Sequence, residues 1–208
     1  MPKKAIVVGA GIAGLATAIR LTAKSYDVTV FESNAYPGGK LHAKTIHGYR
    51  FDLGPSLFTM PWLVTELFAL HGKDASHYFK YTRKDTICNY FWEDGTFFSL
   101  AADSQTFVAE ASDFFNENDK SLRKYLNENR EKYERTRTLF LEKSLHKLNT
   151  YLSLDTLKAL LRIPSLGITN SLDAHNSKAF KNEKLVQLFN RYATYNGSSP
   201  YKTPGIMS

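Results

Sequence analysis

Lys4-Ala5-Ile6-Val7-Val8-Gly9-Ala10-Gly11-Ile12-Ala13-Gly14 is the stretch that decides the fold of this chain. Its first five residues form a compact β-rich run that stops at a glycine, as a strand buried on both faces of a parallel sheet does. The glycines then match G-x-G-x-x-G, and Leu15 to Ala23 continues as an Ala- and Leu-rich helix. In such a unit Gly9 permits the tight turn, Gly11 lets backbone approach a pyrophosphate, and Gly14 allows the helix to pack closely on the strand. The helix opening near Gly11 is expected to aim free N–H groups and its positive dipole end at an anion.

Asp27-Val28-Thr29-Val30-Phe31 reads as a second strand, and it ends at Glu32. That places an acidic residue about 20 positions after the glycines, where a carboxylate accepts hydrogen bonds from adenosine ribose hydroxyls and repels a 2′-phosphate. Strand, helix, second strand and terminal Glu in register predict a dinucleotide site and argue against NADP. The plain alternative is a glycine-rich turn with no ligand.

Two further segments follow: Pro37-Gly38-Gly39-Lys40-Leu41, and Gly48-Tyr49-Arg50-Phe51-Asp52-Leu53-Gly54-Pro55-Ser56. Gly38-Gly39 removes side chains where backbone runs beside a ligand, and Lys40 offers a point charge to phosphate. Gly54-Pro55 makes a stiff turn, and Asp52 is expected to hold that loop together. Two ordinary glycine turns flanking a short hairpin is the alternative. The pair resembles the Gly-Gly-Arg/Lys segment and Asp-x-Gly-Pro turn of the amine oxidase and phytoene desaturase superfamily. The resemblance implies that both segments line FAD, with backbone N–H groups around Gly54 and Ser56 meeting the flavin. The family commonly has Arg at the position of Lys40, which puts bidentate phosphate contact in question. The cofactor-binding set is then Gly9, Gly11, Ala13, Gly14, Glu32, Gly39, Lys40, Gly54, Pro55 and Ser56.

Phe51-Asp52-Leu53-Gly54-Pro55-Ser56-Leu57-Phe58-Thr59-Met60-Pro61 is similar to carotenoid desaturases more than to amine oxidases. Leu188-Phe189-Asn190-Arg191-Tyr192-Ala193-Thr194-Tyr195-Asn196-Gly197-Ser198-Ser199-Pro200-Tyr201 resembles the desaturase segment that leads from a helix into a substrate-side loop. Phytoene desaturases and 1-hydroxycarotenoid 3,4-desaturases are both similar. Either branch implies removal of two hydrogens from a saturated carbon pair beside a polyene, with FAD taking the hydride. An amine- or porphyrinogen-type oxidase, and a non-catalytic FAD-binding fragment, are the rival readings. The relatives are roughly twice as long or more, and their FAD site is completed by a glycine-containing segment near the carboxyl end. By that resemblance these 208 residues alone are expected to bind FAD weakly, to turn nothing over, and to leave sheet edges and apolar patches exposed.

Composition agrees with a globular chain: 43% of residues are hydrophobic and 13% aromatic, more than a disordered chain carries. The formal charge of +7 favours an anionic partner such as a cofactor phosphate or an acidic lipid surface. No nucleic-acid reading motif accompanies it. The single cysteine, Cys88, excludes an internal disulfide, a Cys-x-x-Cys metal site and a paired-thiol redox centre. Met1-Pro2-Lys3-Lys4 and the apolar run to Ile19 imitate a signal peptide, but the fingerprint glycines explain the run, so a cytoplasmic protein is expected.

Pro61 suits the first turn of a helix running to about His71, with Leu63, Val64, Leu67, Phe68 and Leu70 as a core-facing stripe and Gly72 as the stop. Thr86–Trp92 and Thr96–Leu100 read as strands joined at Glu93-Asp94-Gly95. Asp103 and Asp119 are candidate N-caps, and Leu122, Tyr125, Leu126, Tyr133 and Phe140 recur at helical spacing over the second helix. From Asp119 to Lys147 nine Lys or Arg face five Asp or Glu. This is either a solvated face or a peripheral contact with anionic headgroups. His42, His47, His71, His77, His146 and His175 lack metal-ligand spacing, and no catalytic acid, base or metal site is assigned. The fold class is thus α/β: a Rossmann-like FAD-binding βαβ with an incomplete parallel sheet over residues 1–60. A mainly helical substrate- or membrane-side region with a short β-hairpin follows over 61–208. The oligomeric state is left open.

Overall fold

The structure, a computed structural model, describes residues 1–55, 57–137 and 170–208. It divides into two compact units, Met1–Thr82 and Arg83–Ser208. A division at residue 60 would part the helix after Pro61 from the helix on which it packs.

In the first unit β1 (Lys4–Val8) and β2 (Asp27–Phe31) pair in parallel, Lys4 opposite Asp27 and Val8 opposite Phe31, with α1 (Ile12–Ala23) crossing between them. The side-chain period of two puts Ala5, Val7 and Val28 toward α1, where they are half-buried. Ile6, Val8 and Phe31 point the other way and are 70%, 85% and 57% exposed. An antiparallel hairpin follows, β3 (Ala43–Ile46) and β4 (Tyr49–Asp52), tight at Gly48. Asp52 does not tie the following turn; its carboxylate pairs with Arg50 at 2.8 Å within β4.

Helix α2 (Trp62–Ala69) starts after Pro61, and Gly72 at φ +64° ends its last turn. Val64, Leu67 and Phe68 meet Leu15, Ala16 and Ile19 of α1 around an apolar cavity of about 350 Å³. Arg20 pairs with Glu66 at 3.1 Å, and His71 Nε2 lies 3.2 Å from Thr22 Oγ1 and 3.1 Å from the Ile19 carbonyl. The expected core stripe is therefore only half right. Leu63 and Leu70 fall on the open face, 44% and 41% exposed, because a helix with neighbours on one side buries only the arc turned to them. Among the described residues of this unit, only Ala10, Ala18 and Ala75 are fully buried.

The second unit holds the large core. The hairpin β5 (Thr86–Phe91) and β6 (Phe97–Ala101) turns through Asp94-Gly95 as the sequence predicts, with Gly95 at φ +81°. Helices α3 (Ser104–Phe114), α4 (Asp119–Arg137), α5 (Leu172–Ala179) and α6 (Glu183–Asn190) enclose Phe98, Leu100, Val108, Phe115, Leu122, Leu185, Leu188 and Phe189. Asp103 caps α3 through the Thr106 N–H at 2.8 Å. Asp119 is not the cap of α4: Asn118, one residue earlier, accepts from the Lys120 N–H at 2.8 Å, and Asp119 lies inside the first turn, paired with Arg123. Along α4, Leu122 and Tyr125 are buried as expected, but Tyr133 is 42% exposed; Phe140 and His146 lie outside the described residues.

A polar chain crosses this core. Tyr125 O–H donates to Asn176 Oδ1 at 2.6 Å, Asn176 Nδ2 to Asn190 Oδ1 at 2.9 Å, and Asn190 Nδ2 to Asp173 Oδ1 at 2.7 Å. Each link satisfies the next, the condition under which buried amides are tolerated. The chain links α4, α5 and α6. The segment after α6 is a 3-10 turn (Arg191–Asn196) closed by Gly197 at φ +60°, beyond which Leu172 N–H donates to Thr203 O at 2.7 Å.

Candidate functional site

Around the glycine fingerprint, three segments of the first unit converge by backbone contact. Gly9 takes φ +95° and donates to Phe31 O at 2.6 Å, ending β1 against β2. A Cβ on Gly14 would lie 1.9 Å from Gly9 O, so the helix sits on the turn at a distance no side chain allows. Gly11 is the N-cap of α1, and no side chain caps it. The first-turn N–H groups near Ala13 are left facing outward, with the dipole favouring negative charge there.

The second segment lies beside the first. Gly38 N–H donates to Ala10 O at 2.8 Å, and Gly11 bridges to Gly38. Gly39 stands at φ +62°, where a Cβ would come 3.1 Å from Gly11 Cα. The third segment closes on the second: a Cβ on Gly54 would lie 2.0 Å from Lys40 O, and Leu53 N–H donates to His42 O at 2.8 Å. The Tyr36 and His42 rings stack with centroids 3.7 Å apart, pinning the two ends of the Gly38-Gly39 loop together. Lys40 and Pro55 are exposed beside this junction, and Ser56 lies outside the described residues.

Glu32 sits at the tip of β2 and joins the cluster directly. Its Oε2 accepts from the Ala10 N–H at 2.7 Å; its Oε1 accepts from the Asn34 N–H at 2.9 Å and Asn34 Nδ2 at 2.8 Å. The Asn34 backbone N–H first, then that of Ala10, then the Asn34 amide hold its carboxyl down at about 2, so it is a carboxylate at any working pH. Sequence reading placed Gly38 beside the ligand but missed Ala10 and Asn34. A signal for Asn34 exists, since an amide two residues after a strand-ending acid is a turn former that reaches back to nearby backbone and side chains.

The arrangement has the features of a pyrophosphate cradle: an uncapped helix N-terminus, glycines whose Cβ atoms would collide, a lysine at the rim and a carboxylate at the neighbouring strand tip. The NAD(P)-binding Rossmann-like domain model matches residues 7–70, the span that contains all of it. Along 206 residues the chain is 61% identical to the 1-hydroxycarotenoid 3,4-desaturase of Flavobacterium sp. (strain P99-3), covering 99% of this chain and 42% of that protein. Over nearly its whole length this chain is similar to part of a carotenoid desaturase. The 4,4'-diapolycopene oxygenase of Methylomonas sp is 31% identical over 99% of this chain and 41% of its own length. The hydroxyneurosporene desaturase of Rubrivivax gelatinosus is 30% identical over 98% and 39%. The chain thus spans about two-fifths of the length of the curated relatives it matches.

The Leu188–Tyr201 segment lies in the second unit. Leu188, Phe189, Asn190 and Ala193 are buried, while Tyr195 to Ser199 are exposed, so the helix-to-loop transition expected there exists as a buried anchor and an open loop. Arg191 at the junction lies over the Tyr90 and Tyr195 rings at 5.7 and 6.0 Å. Among the described residues no group of three or more His, Cys, Asp or Glu is placed to hold a metal.

Proposed function

We propose that this chain is the FAD-binding portion of a carotenoid desaturase that takes two hydrogens from a saturated carbon pair beside a polyene. The observation that carries the reading is the junction of Gly11, Gly39, Lys40 and Gly54 next to Glu32, in a chain 61% identical to a 1-hydroxycarotenoid 3,4-desaturase. FAD, when bound, supplies the hydride acceptor. The first turn of α1 and Lys40 would hold its pyrophosphate, Glu32 its adenosine ribose, and the backbone at Gly54 and Pro55 would run toward the flavin. Titrating the chain with FAD and following flavin fluorescence tests the cofactor: saturable binding, competed by ADP and not by the 2′-phosphate of NADP, is expected. No binding of FAD or ADP overturns it. Substrate class is tested by replacing the matching 42% of the Flavobacterium desaturase with this chain and assaying 1-hydroxycarotenoid desaturation. Activity is expected, and a folded, flavin-loaded but inactive chimera counts against the substrate.

We also propose a cytoplasmic protein that touches the membrane peripherally through the basic side of α4, since a polyene substrate partitions into lipid. Lys132 is turned inward and buried, and Arg123 and Lys124 pair with Asp119 and Glu128, so the attraction is weak and salt-sensitive. No described helix is long and apolar enough to cross a membrane. Sedimentation with anionic vesicles at low salt, lost at high salt, is the expected outcome; equal recovery with neutral vesicles removes the α4 contact.

A further inference from the structure

The four donors on the Glu32 carboxylate are unevenly shared. Oε1 takes Asn34 N, Asn34 Nδ2 and, at 3.3 Å, Ser33 Oγ; Oε2 takes Ala10 N alone. A carboxylate oxygen has about two good acceptor positions. Oε1 is therefore fully subscribed by the residues that follow it, and the open position is on Oε2, the oxygen already against the glycine loop. We propose that Asn34 is a positioning residue that clamps Oε1 so that Oε2, beside Ala10, is the oxygen that receives the ribose hydroxyl of the nucleotide. This rests on the FAD reading above and names the atom and the residue that make Glu32 selective.

The Asn34 clamp has two parts that can be separated. The backbone N–H survives any substitution except proline, whereas Nδ2 is lost in Asn34→Ala, which leaves Oε1 held by that N–H and the longer 3.3 Å Ser33 contact and so holds the carboxylate less firmly. With its shortest side-chain donor gone, Oε1 competes with Oε2 for a ribose hydroxyl, and the carboxylate is less firmly oriented. Asn34 is exposed, so its removal is expected to leave the fold intact. Asn34→Ser restores a short donor that can reach the same oxygen. Asn34→Asp puts a second carboxylate beside the first.

The experiment uses the whole chain and three probes: ADP, which carries the ribose and pyrophosphate; FMN, which lacks the adenosine ribose; and the Glu32 carboxyl itself, followed by NMR through an acid titration. Asn34→Ala is expected to weaken ADP roughly tenfold with FMN unchanged, because one charge-assisted hydrogen bond is lost or misaligned. It should also raise the Glu32 titration midpoint above about 2. Asn34→Ser should recover part of both effects, and Asn34→Asp should exceed Asn34→Ala. If Asn34→Ala leaves ADP affinity unchanged while Glu32→Ala weakens it, the clamp is wrong and the FAD reading stands. A change confined to thermal stability, with titration midpoint and ADP-to-FMN ratio unmoved, also overturns it. If the unsubstituted chain binds neither ADP nor FAD, both readings fall together.

Discussion

Gly54 stands so close to the backbone of Lys40 that a Cβ built on it would lie 2.0 Å from the Lys40 carbonyl oxygen and 3.2 Å from Leu41 Cα. This contact locks the turn after β4 to the Gly38-Gly39-Lys40 loop, and that loop to Gly11. The obstructing atoms are backbone, so nothing flexible can swing away. Gly54→Ala is expected to destabilise the first unit by about 1–3 kcal/mol, the cost of overpacking, and to weaken FAD more than tenfold. Denaturant unfolding and flavin titration measure both; an unchanged midpoint would show that the contact yields easily.

Gly9 and Gly14 make a matched pair for separating strain from collision. Gly9 has open space around its missing Cβ but a φ of +95°, whereas Gly14 has ordinary φ and a Cβ position 1.9 Å from Gly9 O. Gly9→Ala should cost only the conformational penalty, about 1–2 kcal/mol. Gly14→Ala must push α1 off the turn, and is expected to cost more and to abolish ADP binding. Equal stabilities in a thermal melt would contradict the steric account.

How much of this was legible in the sequence follows from range. The β1–α1–β2 unit, the Asp94-Gly95 hairpin and the Asp103 cap are local patterns, and the structure has each where the residues put it. The choice between Asn118 and Asp119 as cap turned on one residue of register between two equally competent side chains. Leu63 and Leu70 were misplaced because helical period marks an apolar arc without saying how many neighbours cover it. The Lys40–Gly54 contact, the Asn34 clamp and the Asn176–Asn190–Asp173 chain depend on where separate segments meet, which composition and spacing do not encode.

Glu32 makes stability depend on acid. Its carboxyl is held at about 2 against an ordinary 4.5, so the folded state prefers the charged form. Its contribution is present above pH about 4.5 and is lost as pH falls through 4.5 toward 2. Glu32→Gln should remove this part of the pH dependence. Melts of both proteins between pH 6 and 2.5 are expected to converge at the acid end; parallel curves would mean the carboxylate contributes nothing to folding.

The two units should differ in independence. Residues 83–208 contain nearly all the fully buried apolar side chains, while Met1–Thr82 buries only three alanines among its described residues. A core of that size does not offset chain entropy at about 80 residues. Expressed alone, 83–208 should unfold cooperatively, and 1–82 should melt broadly unless ADP or FAD is added. A sharp, ligand-independent transition in 1–82 would show that backbone packing among its glycines suffices.

The polar chain through the second unit gives the last test. Tyr125 is buried, its phenol is pushed up mainly by that burial, and its O–H donates to Asn176 Oδ1. Tyr125→Phe keeps the ring among Phe180 and Phe189 but leaves the Asn176 oxygen without its donor, since Nδ2 is committed to Asn190. An unsatisfied buried acceptor costs about 1–3 kcal/mol. Tyr125→Phe with Asn176→Leu removes both ends of the link and also strands Asn190 Oδ1, so the double variant should not recover stability. Only a triple change that makes Asn190 apolar as well should do so, provided Asp173 reaches solvent. Recovery in the double variant would mean that the chain is three independent bonds and not one connected network.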